Sequence, residues 1–265
     1  MLHHSLVFTI CVTLVSGVPY YGESGRIIGG TRVNHTEQFP YVVSISRMDQ
    51  HVCNGVIYND RWIITAAKCV HGKNQSEFKV VVGALSLIIP EPAEQKITVS
   101  DFVVHNQFDP VSLKHDIALV RLSRLILFGA TAQPIRYSEI DELAQPWDAY
   151  IVGWGATFQG GIPTTRLLWG PIDDLAADCG VYVDEFQQDS MICAGSTEGT
   201  VSPCQYDEGG PLTQRTNSSG TPEEIVVGIM SRNNGCGDPS VPTIYTRLGS
   251  YSTWLLLTAG PQPWE

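Results

Sequence analysis

Short runs rich in Val, Ile and Tyr recur at 41–45, 56–58, 61–65, 78–82, 97–104, 149–152, 225–230 and 243–245, punctuated by Gly, Pro, Asn and Asp. β-Branched and aromatic side chains suit a pleated, half-buried surface, and the punctuating residues suit turns. Many short strands at fairly even spacing predict an all-β barrel or sandwich. The stretch 134–146 has little strand pattern and is acidic at Glu139, Asp141 and Glu142, so it reads as a connection between two halves. Near the end, Tyr251, Trp254, Leu255 and Thr258 recur at helical spacing, which predicts a short C-terminal helix stopped by Pro261. A length of 265 residues fits one large domain or two small ones, and a hydrophobic share of 43% supplies a substantial core.

The first residues point to export. An apolar run at 6–15 is followed by Ser16 and Gly17. Such a run is too short to span a bilayer but fits the apolar part of a signal peptide, here read as 1–17 with cleavage after Gly17. No later run is long and apolar enough to cross a membrane; the stretch 117–128 is interrupted by Arg121 and Arg124. Of seven cysteines, Cys11 leaves with the signal peptide. The remaining Cys53, Cys69, Cys179, Cys193, Cys204 and Cys236 form an even set, which in an oxidising compartment reads as three disulfides with fifteen possible pairings. No CxxC or histidine cluster supports a metal site, and no cofactor is expected. Sequons at Asn34, Asn74 and Asn217 mark candidate glycosylated loops. The formal net charge of -11 argues against a nucleic acid or an anionic membrane as partner, since both would be repelled.

A series of motifs then appears in a fixed order: Arg26-Ile-Ile-Gly-Gly, Cys53-Asn-Gly, Trp62-Ile-Ile-Thr-Ala-Ala, Cys69, Asp116-Ile-Ala-Leu, Gly153-Trp-Gly, Met191-Ile-Cys-Ala-Gly, Gly209-Gly-Pro and Tyr245-Thr-Arg. In this set the chain resembles the trypsin/chymotrypsin-like serine proteases from Arg26 to about Thr258. The resemblance implies two six-stranded antiparallel β-barrels, about 27–135 and 136–250, within a domain at 27–265, with the active cleft between them. It also implies the pairings Cys53–Cys69, Cys179–Cys193 and Cys204–Cys236, each worth on the order of 3 kcal/mol in the chain-entropy model. It makes 18–26 a short propeptide ending in a cleavage site at Arg26-Ile27. In the family the freed Ile amine inserts beside an aspartate, here Asp207.

The resemblance also exposes what has changed. Residues 65–69 read Thr-Ala-Ala-Lys-Cys, so Lys68 stands where the family has its catalytic histidine. Residues 206–211 read Tyr-Asp-Glu-Gly-Gly-Pro, so Glu208 stands where it has its serine. Only the third triad member survives, as Asp116. Peptide hydrolysis by this route needs a hydroxyl nucleophile and an imidazole to take its proton. A lysine side chain carries its proton at neutral pH and cannot accept another. Attack by a carboxylate would give an anhydride, whose carboxylate leaves far more readily than an amide nitrogen, so the step would run backwards. In a protease using the same triad, loss of Ser or His alone costs about 2 × 10⁶ in turnover, roughly 8–9 kcal/mol.

The expectation is that Lys68 lies between Asp116 and Glu208 in an ion-pair cluster. Tyr206 replaces the glycine whose N–H completes the oxyanion hole, and its side chain is expected to turn that peptide away and crowd the leaving-group side. The specificity pocket maps onto Ser202 at the base, with Asn233 and Thr243 at walls where glycine is common, so it should be narrowed. On the substrate-binding strand, Arg232 follows Ser231 in place of a tryptophan. These departures favour a secreted, non-catalytic homologue that acts by binding another extracellular protein, such as a protease or an inhibitor. The alternatives are a working endopeptidase, as overall similarity implies, and an inert stored secretion.

Overall fold

The computed structural model describes residues 27–139, 143–175, 179–182, 185–217 and 222–264. The expected signal peptide, the expected propeptide with Arg26, and the acidic Asp141 and Glu142 lie outside them. Fourteen strands are described: β1 (Thr31–Arg32), β2 (Val42–Arg47), β3 (Gln50–Ile57), β4 (Trp62–Thr65), β5 (Phe78–Val82), β6 (Gln95–Val104), β7 (Ala118–Leu122), β8 (Ala149–Gly153), β9 (Leu168–Ile172), β10 (Asp174–Leu175), β11 (Met191–Gly195), β12 (Pro211–Thr216), β13 (Glu223–Arg232) and β14 (Thr243–Arg247). All named pairings are antiparallel.

Six strands close a barrel in the order β2-β3-β4-β7-β6-β5. Its interior is filled by Val43, Ile45, Ile57, Ile63, Val80, Val82, Ile97 and Val120. On β5, Phe78, Val80 and Val82 fill the barrel, whereas on the opposite face Lys79 is half-exposed and Val81 packs into a second cluster. A second cluster, holding Phe39, Tyr41, Ile64, Leu119, Tyr150, Trp154, Ile229 and Leu255, draws on elements of both sheets and cements them. Across this junction the Tyr41 hydroxyl meets those of Tyr150 (2.9 Å) and Thr213 (3.2 Å), so its polar groups are satisfied where water is excluded.

The second half holds the six strands expected of it and two short additions. It is an eight-stranded sheet in the order β1-β9-β8-β12-β13-β14-β11-β10. The inner six strands are those a barrel requires, but the two-residue strands β1 and β10 pair with the outer edges of β9 and β11. These pairings cover only Leu168–Trp169 of β9 and Ala194–Gly195 of β11, one end of each edge. β1 also carries the start of the chain, assigned on sequence to the first half, across to the second sheet.

Two helices follow from local sequence. α1 (Ala67–Val70) is a single turn, pinned to β3 by the Cys53–Cys69 disulfide. α2 (Ser252–Ala259) continues a 3-10 turn at Leu248–Tyr251 and buries Leu255. It ends at Ala259, two residues before Pro261. Gly260 takes a left-handed φ of 76° and returns its N–H to the Leu256 carbonyl, a cap that glycine adopts at least cost. The other disulfides are Cys179–Cys193 and Cys204–Cys236. Among the described residues no helix is long and apolar enough to cross a membrane.

Candidate active site

The cleft is built where α1, the turn before β7 and the loop 204–210 converge. α1 presents Lys68 in its first turn, and the Lys68 backbone N–H donates to Asp116 Oδ1 at 2.8 Å. A carboxylate here satisfies one of the orphan donors of a helix start. Asp116 Oδ2 accepts the Ser231 hydroxyl at 2.7 Å, and its backbone carbonyl accepts the Thr246 hydroxyl at 2.9 Å. Asp116 is fully buried, and burial pushes its pKa up from 3.8 to about 6 against the lowering pull of the Ser231 and Lys68 donors.

The loop 204–210 is fixed from several sides. Gly209 N–H donates to the Met230 carbonyl and Asn54 N–H to the Glu208 carbonyl, both at 2.8 Å. Gly209 has φ 75°, and a Cβ there would stand 2.2 Å from the Thr65 hydroxyl oxygen, so no larger residue fits. The result is a carboxylate held at both ends. Glu208 Oε1 accepts from the Lys68 amine at 3.0 Å, and Glu208 Oε2 accepts the backbone N–H of Tyr206 at 2.7 Å. The side chains of Lys68 and Glu208 are 25% and 18% exposed.

Two expectations are thereby corrected. The three-charge cluster forms only in part, because Asp116 is met by the Lys68 main chain while the amine turns to Glu208. Nor does Tyr206 lose the backbone geometry of a glycine. It holds φ 74°, a left-handed conformation costing roughly 1–2 kcal/mol for such a residue. Its N–H still points into the cleft, where an internal carboxylate meets it. The Tyr206 carbonyl accepts from Asn54 Nδ2 and lies 3.0 Å from His51 Nε2, and these contacts hold the strained peptide.

His51, Asn54 and Ser44 were not singled out as site residues on sequence. Burial lowers the His51 pKa to about 4, so the ring is neutral. A carbonyl can only accept, so Nε2 carries the proton and Nδ1 accepts the Ser44 hydroxyl at 2.8 Å. The position of His51 two residues before the Cys53-Asn54-Gly55 motif was the available signal.

Asp207 points away from the cleft. Its Oδ1 accepts Gly155 N–H at 2.8 Å and its Oδ2 accepts Cys204 N–H at 3.0 Å. A Cβ on Gly153 or Gly155 would stand about 2 Å from this carboxylate, which is the reason for glycine on both sides of Trp154. Burial raises the Asp207 pKa to about 7. Asp207 and the fully buried Ile27, the residue that follows the expected cleavage site, line one small cavity.

The residues expected to wall a specificity pocket are tied to one another. Asn233 Nδ2 stands within hydrogen-bond distance of Ser202 Oγ (3.0 Å), the Pro203 carbonyl (2.8 Å) and Thr243 Oγ1 (3.1 Å). Its Oδ1 accepts Gly235 N–H at 2.8 Å. The amide thus spans from the base to the far wall. Arg232 is drawn sideways, with its guanidinium 4.9 Å from the Tyr182 ring centre and ion-paired to Glu185 at 2.5 Å, out of line for a hydrogen bond. Among the sequons, Asn74 is exposed at the start of a 3-10 turn, where its Oδ1 accepts from Ser76 N–H and Oγ; Asn34 and Asn217 are exposed as well. Among the described residues no group of three or more His, Cys, Asp or Glu could hold a metal ion.

Comparison with known proteins places this geometry. The family model described as Trypsin matches residues 27–255. Trypsin-1 of Astacus astacus is 35% identical over 243 residues, covering 88% of this chain and 100% of that protein. Serine protease 56 of Homo sapiens is 32% identical over 87% of this chain, a match that spans 38% of that protein. Among solved structures, neuropsin, a serine protease expressed in the limbic system of mouse brain, superposes with a TM-score of 0.75 at 27% identity, covering 87% of this chain and 98% of that one.

Proposed function

Because the chain belongs to the trypsin family of serine proteases, we propose that it is a secreted homologue that no longer cleaves peptides and acts by binding an extracellular protein. The observation that carries this reading is the Glu208 carboxylate, clasped by the Lys68 amine and the Tyr206 N–H. In the family's reaction an oxyanion forms on the substrate and is held by backbone N–H groups. Here a carboxyl group of the protein itself occupies one of those donors. A substrate carbonyl would have to displace it, and no alcohol would then stand ready to attack. Asn233, tied across the specificity pocket, removes the volume a substrate side chain would enter.

Asp207 and Ile27 support a second part of the proposal. Cleavage after Arg26 would create an ammonium group beside a buried acid, and the ion pair would reorganise the loop that carries Tyr206 and Glu208. On this reading cleavage still switches the molecule between two surfaces without making a protease of it.

Working proteolysis is the rival reading, favoured by the 35% identity to a trypsin. The two separate on treatment of the Arg26-cleaved protein with a labelled fluorophosphonate, beside the double variant Lys68→His/Glu208→Ser. The proposal expects no label on the natural protein. Label on any cleft residue together with peptide turnover refutes it. A silent revertant would mean that Tyr206 and Asn233 close the site on their own.

A further inference from the structure

A second concave surface lies away from the cleft, under the loop that follows Trp154. It is an open hollow of about 260 Å³ whose walls include Arg32, Phe158, Ile162, Pro163, Arg166 and Leu168. β1 brings Arg32 opposite Leu168, and the buried Leu168 gives the hollow an apolar edge. Phe158 and Ile162 stand 62% and 80% exposed at its rim. A backbone bridge between Ser86 and Arg166 brings in the neighbouring loop, on which Ile88 and Ile89 are also exposed. Large exposed apolar side chains gathered in one place mark interaction surfaces, whereas scattered ones do not.

The charge of the hollow sets it apart from the rest of the molecule. The chain carries 27 acidic against 16 basic residues, yet the described residues that line the hollow include Arg166 and Arg32, the latter already engaged in a contact of its own, and no carboxylate. The Arg166 guanidinium has no ion pair or hydrogen bond among the described residues, although its main-chain carbonyl accepts the Thr164 hydroxyl. A planar guanidinium matches a carboxylate with two parallel N–H donors, and arginine with an aromatic neighbour is the pairing enriched at interface anchors.

We propose that this hollow is a docking site for an acidic-apolar segment of a partner protein, an extended stretch in which carboxylates flank an apolar side chain. The apolar side chain enters between Phe158 and Ile162, and a flanking carboxylate reaches Arg166. The site is independent of the cleft, so it stands whether or not the chain cleaves peptides.

The test uses the purified secreted chain and a fluorescein-labelled peptide of alternating Glu and Leu, followed by fluorescence anisotropy. The natural protein should give saturable binding that weakens as salt rises. Arg166→Ala and Phe158→Ser should each weaken it about tenfold or more, while Arg121→Ala, on the first barrel, should not. The same peptide with Gln for Glu should bind at least tenfold less tightly. Absence of saturable binding overturns the proposal, as does equal binding of the Gln peptide or unchanged affinity in the Arg166→Ala variant. Self-association that excludes the peptide would assign the surface to a second copy of the chain, and tighter binding of a single-stranded oligonucleotide would assign it to nucleic acid; either result also overturns it.

Discussion

Replacing Lys68 by Met and Glu208 by Gln, singly and together, measures how firmly the cleft is locked. The Lys68 amine and Glu208 Oε1 are 3.0 Å apart, with 25% and 18% of the two side chains exposed. Fully exposed pairs couple by about 0.2–1 kcal/mol, whereas breaking a buried pair costs about 3–5 kcal/mol. The intermediate exposure places the coupling at about 1–2 kcal/mol. Glu208→Gln retains an oxygen to accept the Tyr206 N–H, so the double-mutant cycle isolates the ionic part from that hydrogen bond. Urea unfolding of the four proteins supplies the coupling energy, and about 1 kcal/mol should also move Tm by roughly 2–4 °C. Partial burial limits screening, so most of the coupling should persist in high salt. A coupling below about 0.3 kcal/mol would show that the pair does not hold the cleft, and the argument that Glu208 is a fixed internal anion would fail.

Three further outcomes follow from other parts of the site. Asn233→Ala removes the contacts to Ser202, Pro203, Thr243 and Gly235 and should cost about 2–3 kcal/mol by urea unfolding, since each net hydrogen bond is worth about 1 kcal/mol; no loss would mean the amide does not fill the pocket. Asp207 has its folded pKa raised from 3.8 to about 7, so its contribution to stability falls as pH rises through that window, by about 4 kcal/mol at 1.36 kcal/mol per pH unit. Cleavage after Arg26 should relieve that loss, so the cleaved form should gain on the intact one as pH rises from 3.8 towards 7; identical profiles would contradict the Ile27–Asp207 assignment. His51 has its folded pKa lowered from 6.5 to about 4, so stability should be lost as pH falls through that window, by about 3 kcal/mol, and His51→Gln should flatten that limb of the pH profile.

The strands that the sequence revealed were those with uninterrupted β-branched runs. Phe78–Val82 has the expected limits, and β8, β13 and β14 extend theirs by only a few residues. β9, with its Gly170 and Pro171, escaped the pattern because a side chain that cannot donate to the ladder looks like a break. β12 opens on Pro211 and carries Thr, Gln and Arg, so it reads as a loop although Thr213 and Gln214 are buried. The eight-stranded second sheet was hidden for another reason. Its extra members are two-residue strands that exist only because a neighbouring edge is free to accept them.

At the cleft, the residue types at positions 68, 116 and 208 were legible through motif order, but their partners were not. Whether a lysine amine turns to an aspartate or a glutamate depends on the rotamers that α1 and the loop 204–210 allow. The left-handed Tyr206 could not be foreseen either, because its φ is imposed by Asn54 and His51 gripping its carbonyl from another strand.

Acyl transfer itself is the most direct measurement. Arg26-cleaved protein is mixed with an activated p-nitrophenyl ester, quenched in acid within seconds, and weighed intact by mass spectrometry. The account predicts the unmodified mass at every time point and no burst of nitrophenol. An added acyl group that maps to a residue of the cleft, formed and hydrolysed at a steady rate, would contradict it.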